Sequence, residues 1–299
     1  MSSGEARRLT CMTTHTLVTP EVDLAYHVIG PLPTADGRPL LLMIGQPMTA
    51  EGFAALAPLM QDRTCVTYDP RGLGRSVRKD GRTDYRPEVQ AEDLHRLIQE
   101  LGGGPVDVFG SSGGAVVGLA LVTAHPVDVR TLVAHEPPAI PVLPDAEAAE
   151  RARTGFFDVY NAKGGNAGMA AFIAMTSWKG EFTDEYFAAP APDPAMFGMP
   201  TEDDGRRDDP LLSDLSWAVS SYSPDIEALL AAPTRVVAAV GEESDGVFTG
   251  RTATALAEKL GQEVTVFPSH HGGFAGPEFG YPGKPEEFAV VLRRVLDED

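Results

Sequence analysis

A serine hydroxyl set in a tight glycine turn is the group in this chain best placed to do chemistry. Ser112 sits in Val106-Asp107-Val108-Phe109-Gly110-Ser111-Ser112-Gly113-Gly114-Ala115. A short apolar run ends in Gly and Ser, and an apolar segment of small residues with helical character follows at once. This is the Gly-x-Ser-x-Gly layout of a nucleophile elbow. Such a turn strains the backbone at its tip, so the neighbours Gly110 and Gly114 must be small. The hydroxyl then stands clear of the sheet, and the Gly113 N–H points toward the reacting oxygen. Serine is a weak nucleophile at neutral pH and needs a base to take its proton and donors to hold the oxyanion. His271, in Phe267-Pro268-Ser269-His270-His271-Gly272-Gly273-Phe274, is the preferred base. It follows the last strand pattern and immediately precedes two flexible glycines; the adjacent His270 is its rival. His15, His27, His95 and His125 read as ordinary surface or core histidines.

These residues need a scaffold, and the hydrophobic periodicity supplies one. Residues 16–29 alternate with period two and read as an antiparallel hairpin. Residues 39–44, 63–68, 105–109 and 129–134 are short apolar runs of the kind found in buried parallel strands. Helical spacing falls between them at 50–60, 87–101 and 112–124. The alternation stops after Pro137-Pro138. Residues 139–232 carry helical patterns at 147–162, 167–178 and 210–220 and no convincing strand, with an irregular Pro- and Gly-rich stretch at 188–200. Strand and helix patterns then resume at 234–240, 252–260, 263–267 and 285–296. The expected fold class is α/β: a mostly parallel sheet with helices on both faces and a helical cap inserted between two late strands. The expected core is 1–138 with 233–299, and the expected cap or lid is 139–232.

With these motifs in this order, the chain resembles the α/β-hydrolase superfamily over nearly its whole length outside the lid. The resemblance rests on Leu41-Leu42-Met43-Ile44-Gly45-Gln46-Pro47, Asp69-Pro70-Arg71-Gly72-Leu73-Gly74-Arg75-Ser76, Gly110-Ser111-Ser112-Gly113-Gly114 and His271-Gly272-Gly273-Phe274. It implies an oxyanion hole formed by the backbone N–H groups of Gln46 and Gly113. Members of the superfamily usually carry His-Gly after the third strand, where this chain has Ile44-Gly45; a backbone donor survives that change. The Gln46 side chain is read either as an added polar contact there or as a loop group facing water. A second departure concerns the acid that orients the histidine. Gly241-Glu242-Glu243-Ser244-Asp245 has serine where an aspartate is usual, leaving Asp245 one residue late. Glu136 stands just past the preceding strand, a position from which some members, including certain haloalkane dehalogenases, draw their acid. Glu136 is preferred, with Asp245 as the alternative. Ser112 excludes the branches that use an aspartate nucleophile. The Asp69–Ser76 segment reads as structural.

Composition narrows the partners. The 299 residues carry a formal net charge of −19, which repels phosphate backbones and anionic lipid, so neither nucleic acid nor a membrane is expected as a partner. Glu202-Asp203-Asp204 and Asp208-Asp209, beside Arg206 and Arg207, read as a solvated loop. Cys65 reads as a core residue and, with Cys11, forms no disulfide framework. The N-terminal residues 1–8 lack the apolar stretch of a signal peptide, and a cytoplasmic location is expected. Neither a Gly-x-Gly-x-x-Gly turn nor a Cys/His grouping with metal-ligand spacing is present, so no cofactor or metal is expected. A homo-oligomer is allowed. The expected activity is hydrolysis of a carboxylic ester or lactone of a small or medium apolar substrate through an acyl-enzyme. Phe172, Trp178 and Trp217 are candidate substrate contacts, drawn from an apolar set that also includes Phe156, Phe157, Met175, Phe197 and Met199. The alternatives are a cofactor-free haloperoxidase-like perhydrolase, a C–C bond hydrolase, or a non-catalytic binding protein on the same fold.

Overall fold

In the computed structural model, residues 12–34, 37–277 and 281–298 are described. Cys11 and the N-terminal residues read above lie outside them. Nine strands form one sheet: β1 (Met12–Val18), β2 (Val22–Ile29), β3 (Leu41–Ile44), β4 (Cys65–Tyr68), β5 (Val77–Arg78), β6 (Val106–Ser111), β7 (Val129–His135), β8 (Arg235–Gly241) and β9 (Thr265–Phe267). Their spatial order is β1-β2-β4-β3-β6-β7-β8-β9, with β5 paired to β2. The pairs from β4 through β9 are parallel, while β1, β2 and β5 pair antiparallel. The helices are α1 (Pro87–Glu100), α2 (Gly113–Ala124), α3 (Ala146–Lys163), α4 (Gly165–Ser177), α5 (Asp184–Ala188), α6 (Trp217–Ser220), α7 (Ile226–Ala231), α8 (Phe248–Lys259) and α9 (Pro285–Asp297). Five of them, α3 to α7, lie in the segment between β7 and β8. No helix among the described residues is long and apolar enough to cross a membrane.

The central strands β3 and β6 are buried at every position because both faces of the sheet are covered there, and β3 is apolar throughout. On β3, Leu42 and Ile44 pack with Leu94, Leu97, Val117 and Leu256 of α1, α2 and α8. Leu41 and Met43 face the other way, against Phe288, Leu292 and Leu296 of α9 and against Phe53 and Leu56. A one-residue slip of β3 would exchange these two sets. A third apolar cluster joins the segment between β7 and β8 to the body, with Phe156, Met175, Leu212 and Val219 packed toward Val116 and Phe248. Cys65 is buried in β4, and burial pushes its thiol up to about 12, away from reactivity.

Two helical expectations change. Residues 50–60 form only short 3-10 turns at Ala50–Phe53 and Ala57–Leu59, where Pro58 lacks the N–H a longer helix needs. The 210–220 pattern shrinks to a 3-10 turn, Asp214–Ser216, followed by α6. The 188–200 stretch is irregular apart from the turn Pro194–Phe197. Asp203 pairs with Arg207 and Asp208 with Arg206 at the surface.

The Asp69–Ser76 segment is a bracket anchored by the buried Asp69, Arg71 and Ser76. The Asp69 carboxylate accepts the N–H groups of Ala50 (3.0 Å) and Arg75 (2.8 Å). A Cβ on Gly74, where φ is +51°, would stand 2.4 Å from an Asp69 oxygen, so only glycine fits. Arg71, 2% exposed, donates to both oxygens of Asp93 at 2.6 Å and to Asp80 at 2.6 Å. A buried ion pair adds little net stability but is costly to break, because one charge is left alone. Asp93→Asn should therefore lower unfolding stability by about 3 kcal/mol, measured by urea titration at pH 7. A change within about 0.5 kcal/mol, the range of ordinary surface substitutions, would remove this bracket from the fold's essential contacts.

Candidate active site

The residues singled out for chemistry follow the carboxyl ends of parallel strands, where open α/β sheets place their ligands. Gln46 follows β3, Ser112 follows β6, Glu136 follows β7 and His271 lies just beyond β9. Ser112 has φ 55° and ψ −128°, a strained conformation for a residue with a side chain. Its N–H donates to the His135 carbonyl (2.9 Å), and its own carbonyl accepts from Ala115 (2.9 Å) at the start of α2. The flanking glycines make that turn fit. A Cβ on Gly114 would meet the Ile44 carbonyl oxygen at 2.1 Å, and one on Gly110 the Ala115 Cα at 2.9 Å. A Cβ on Gly113 would lie 2.5 Å from the Gln46 carbonyl oxygen. The close approach of α2 to the end of β3 thus brings the backbone of Gln46 and Gly113 to one corner of the site.

The structure joins His271 to Glu136. His271 Nδ1 lies 2.6 Å from Glu136 Oε2. The Glu136 carboxylate is fully buried, whereas the His271 side chain is 42% exposed. Thr249 Oγ1 donates to Oε2 (2.6 Å) and the Gly241 N–H donates to Oε1 (2.8 Å). Burial alone would raise this carboxyl. The charge and hydrogen bond of His271, together with His135 and Ser244, outweigh burial and hold it well below the usual carboxylate range. Glu136 itself has φ 49°, which turns the chain sharply after β7. Asp245 is exposed and lines a separate cavity on the far side of the β8–α8 loop. His270 stacks near Tyr281 (4.2 Å between ring centres), and its Nδ1 accepts the Gly272 N–H at 3.0 Å.

A cavity of about 520 Å³ opens over this constellation. Ser112, Gly113, Gln46, His270 and His271 form one side of it. Phe156, Phe172, Met175 and Trp217, from the segment between β7 and β8, form much of the other. Trp178 is not in the wall: its indole N–H donates to the Glu181 carbonyl (2.9 Å) and its ring meets Tyr186. Phe157 lies behind Trp217, and Phe197 is 42% exposed away from the cavity. Gln46 departs from the water-facing alternative. It is 3% exposed, and neither atom of its side-chain amide has a partner among the described residues.

His135 carries a role that the sequence reading left unassigned. It is fully buried against Phe109, Phe267, Phe274 and Phe288, and its ring lies 6.2 Å from that of His271. Its position at a strand end, next to Glu136, was the available signal. Burial pushes its imidazole down to about 4, with Glu136 pulling the other way and His271 adding to the drop. The unfolded chain accepts this proton near the ordinary histidine value of 6.5, while the folded protein resists it until about 4. As pH falls through that window, protons favour the unfolded state, and this residue should withdraw stability on the order of 3 kcal/mol. Between pH 7 and 5, wild-type protein should lose more stability in urea titrations than His135→Phe does. Equal losses in the two proteins would place the acid sensitivity elsewhere.

Comparison with known proteins agrees with this architecture. The family model described as alpha/beta hydrolase fold matches residues 38–272. An uncharacterized hydrolase of Bacillus subtilis (strain 168), YraK, is 31% identical over 298 residues, covering 95% of this chain and 96% of the relative. A cis-3-alkyl-4-alkyloxetan-2-one decarboxylase of Xanthomonas campestris is 29% identical over 136 residues, covering 43% of this chain and 44% of the relative. A solved structure from a study of carboxylesterases of the thaumarchaeon Nitrososphaera gargenis superposes with TM-score 0.64 at 18% identity, covering 95% of this chain and 97% of that one. The chain belongs to the alpha/beta hydrolase fold family and is a hydrolase-type enzyme of that family.

Proposed function

We propose that this protein is a serine hydrolase that cleaves a carboxylic ester or lactone of a small or medium, largely apolar substrate. The observation that carries the reading is the pairing of a strained serine elbow with a histidine held by a buried carboxylate, all beside one cavity. Ser112 is the nucleophile. His271 takes the Ser112 proton as the hydroxyl oxygen attacks the carbonyl carbon, and the π electrons move to the oxygen. The N–H groups of Gln46 and Gly113 receive that oxyanion. The carbon–oxygen bond to the leaving group then breaks, and His271 returns the proton to the departing alkoxide. Water, deprotonated by the same imidazole, resolves the acyl-enzyme. Glu136 holds the tautomer and orientation of His271 and offsets its positive charge as the proton arrives.

The substrate reading rests on the wall. Residues 139–232 act as a cap, and the Phe156, Phe172, Met175 and Trp217 side chains they contribute favour an apolar acyl or alkyl group. The cavity volume falls within the range usual for small-molecule sites. The oxetan-2-one in the name of the Xanthomonas relative is a strained cyclic ester, which supports including lactones in the substrate class. The Gln46 amide is buried without a partner beside the Gly113 corner of the site.

A panel of p-nitrophenyl esters and lactones of varied chain length, with fluorophosphonate labelling, tests the reading. Wild-type protein should turn over short to medium chains and take the label on Ser112, and Ser112→Ala should lose both while keeping its fold. Glu136→Gln should cut kcat by about 10³–10⁴-fold, as expected when the group orienting the base is lost. Asp245→Asn should stay near wild type. Turnover surviving in Ser112→Ala would sink the nucleophile assignment, and abolition by Asp245→Asn alone would sink that of Glu136.

A further inference from the structure

A second cluster of reactive side chains lies far from Ser112. α2 runs twelve residues from the elbow to Ala124, so its end stands about 18 Å away. There, four side chains from three places in the chain meet. Glu92 and His95 come from one face of α1, His125 caps α2, and Asp128 belongs to the turn before β7. His95 Nδ1 lies 2.6 Å from Asp128 Oδ2, and His125 Nε2 lies 2.7 Å from Glu92 Oε1. The two imidazole rings stack at 3.9 Å with an 8° interplanar angle. One ligand atom each from His95, His125 and Asp128 falls within 4.8 Å of the others. Asp128 is only 4% exposed, so a carboxylate has been withdrawn from water beside two imidazoles.

We propose that His95, His125 and Asp128 bind a divalent transition-metal ion of the zinc or nickel class, with Glu92 as an outer partner. Two imidazole nitrogens and one carboxylate oxygen suit such an ion, whereas Mg²⁺ and Ca²⁺ favour sites made of oxygen ligands. The Glu92 carboxylate holds one nitrogen of His125, which fixes its tautomer and leaves the other nitrogen for a metal, whereas the ion takes the place of the direct His95–Asp128 contact. The rings are 30% and 22% exposed. Ligation requires them to leave the stack and turn about their Cβ–Cγ bonds to the metal–nitrogen distance of about 2.0–2.1 Å. Water and one or more open positions complete the coordination. The net charge of −19 draws cations toward the surface. Because the ligands belong to α1, α2 and the turn into β7, the ion ties these three together, away from the hydrolytic site. The expectation of no metal arose because the ligands form two short pairs, Glu92-x-x-His95 and His125-x-x-Asp128, separated along the chain.

Tag-free full-length protein, stripped with a chelator, is titrated with ZnCl₂ and NiCl₂ by calorimetry and by thermal unfolding, with MgCl₂ as the control. Saturable binding and a rise in Tm are expected with zinc or nickel and not with magnesium. His125→Gln should weaken affinity by about tenfold or more. The His95→Gln/His125→Gln pair should abolish both the binding and the Tm rise. Binding should also weaken in acid, since a protonated imidazole cannot ligate. Absence of saturable binding by wild type, or equal binding by the double variant, overturns the proposal. Circular dichroism confirms that the variants fold; if the double variant does not, His125→Gln alone decides, by losing affinity or keeping it.

Discussion

The site is organised around one carboxylate that is kept charged where water does not reach. Glu136 leaves β7 in a left-handed turn and points its side chain between the ends of two other strands. One oxygen takes the backbone N–H at the end of β8, and the other takes the Thr249 hydroxyl at the start of α8 and the ring of His271 beyond β9. An isolated ion in that place would cost several kcal/mol. Here the cost is offset by donors from three segments, and those segments are thereby held in register. The loop carrying His271 is also fixed by backbone hydrogen bonds to Ser269, His270 and Gly273 and by the buried Phe274, while the His271 ring itself is 42% exposed. The carboxylate is therefore as much a structural tie as a chemical group. His135 packs behind it, with burial pushing its imidazole down to about 4.

A second constraint is steric and acts at the Ser112 turn. Ser112 can hold its positive φ because both ends of the turn are anchored, to β7 through the His135 carbonyl and to α2 through Ala115. The helix must also start almost in contact with the end of β3, where the space beside Gly114 is filled by the Ile44 carbonyl. That contact, rather than the serine, explains why glycine occupies this position. It also explains why the loop at Gln46 lies next to Gly113. The two groups proposed to receive the oxyanion are neighbours because of helix packing, with no hydrogen bond needed to hold them.

Much of this was legible in the sequence, for a physical reason. Buried parallel strands read as continuous apolar runs, and the Gly-x-Ser-x-Gly turn is dictated by local backbone sterics, so β3, β4, β6, β7 and the Ser112 elbow could be placed from their own residues. Contacts between distant residues could not. Whether Glu136 or Asp245 meets His271 depends on how the ends of β7, β8 and β9 are offset, and that offset is a property of the whole sheet. Residues 50–60 show the limit of periodicity, since their apolar spacing is helical while Gly52 and Pro58 interrupt the helix. Trp178 and Phe172 look alike as aromatic residues near the end of one helix. Only the packing of α5 against Trp178 turns one away from the cavity while the other remains in its wall.

The cavity divides its work between two parts of the chain. Ser112, Glu136 and His271 follow strand ends and are tied to the sheet by hydrogen bonds. The apolar wall comes from the helical segment between β7 and β8, which packs on the body through side chains such as Phe156, Met175 and Val219. Apolar contacts are non-directional, so that wall can change shape with the residues that build it without disturbing the geometry of Ser112, His271 and Glu136. Gln46 belongs to the first part but carries an amide with no partner among the described residues, a costly arrangement unless a polar atom of a bound molecule or a water completes it. Its place beside Gly113 puts that demand at the corner of the proposed oxyanion donors. On the proposed hydrolysis, the polar selectivity of the site is therefore expected near the bond that breaks, and the apolar selectivity along the helices.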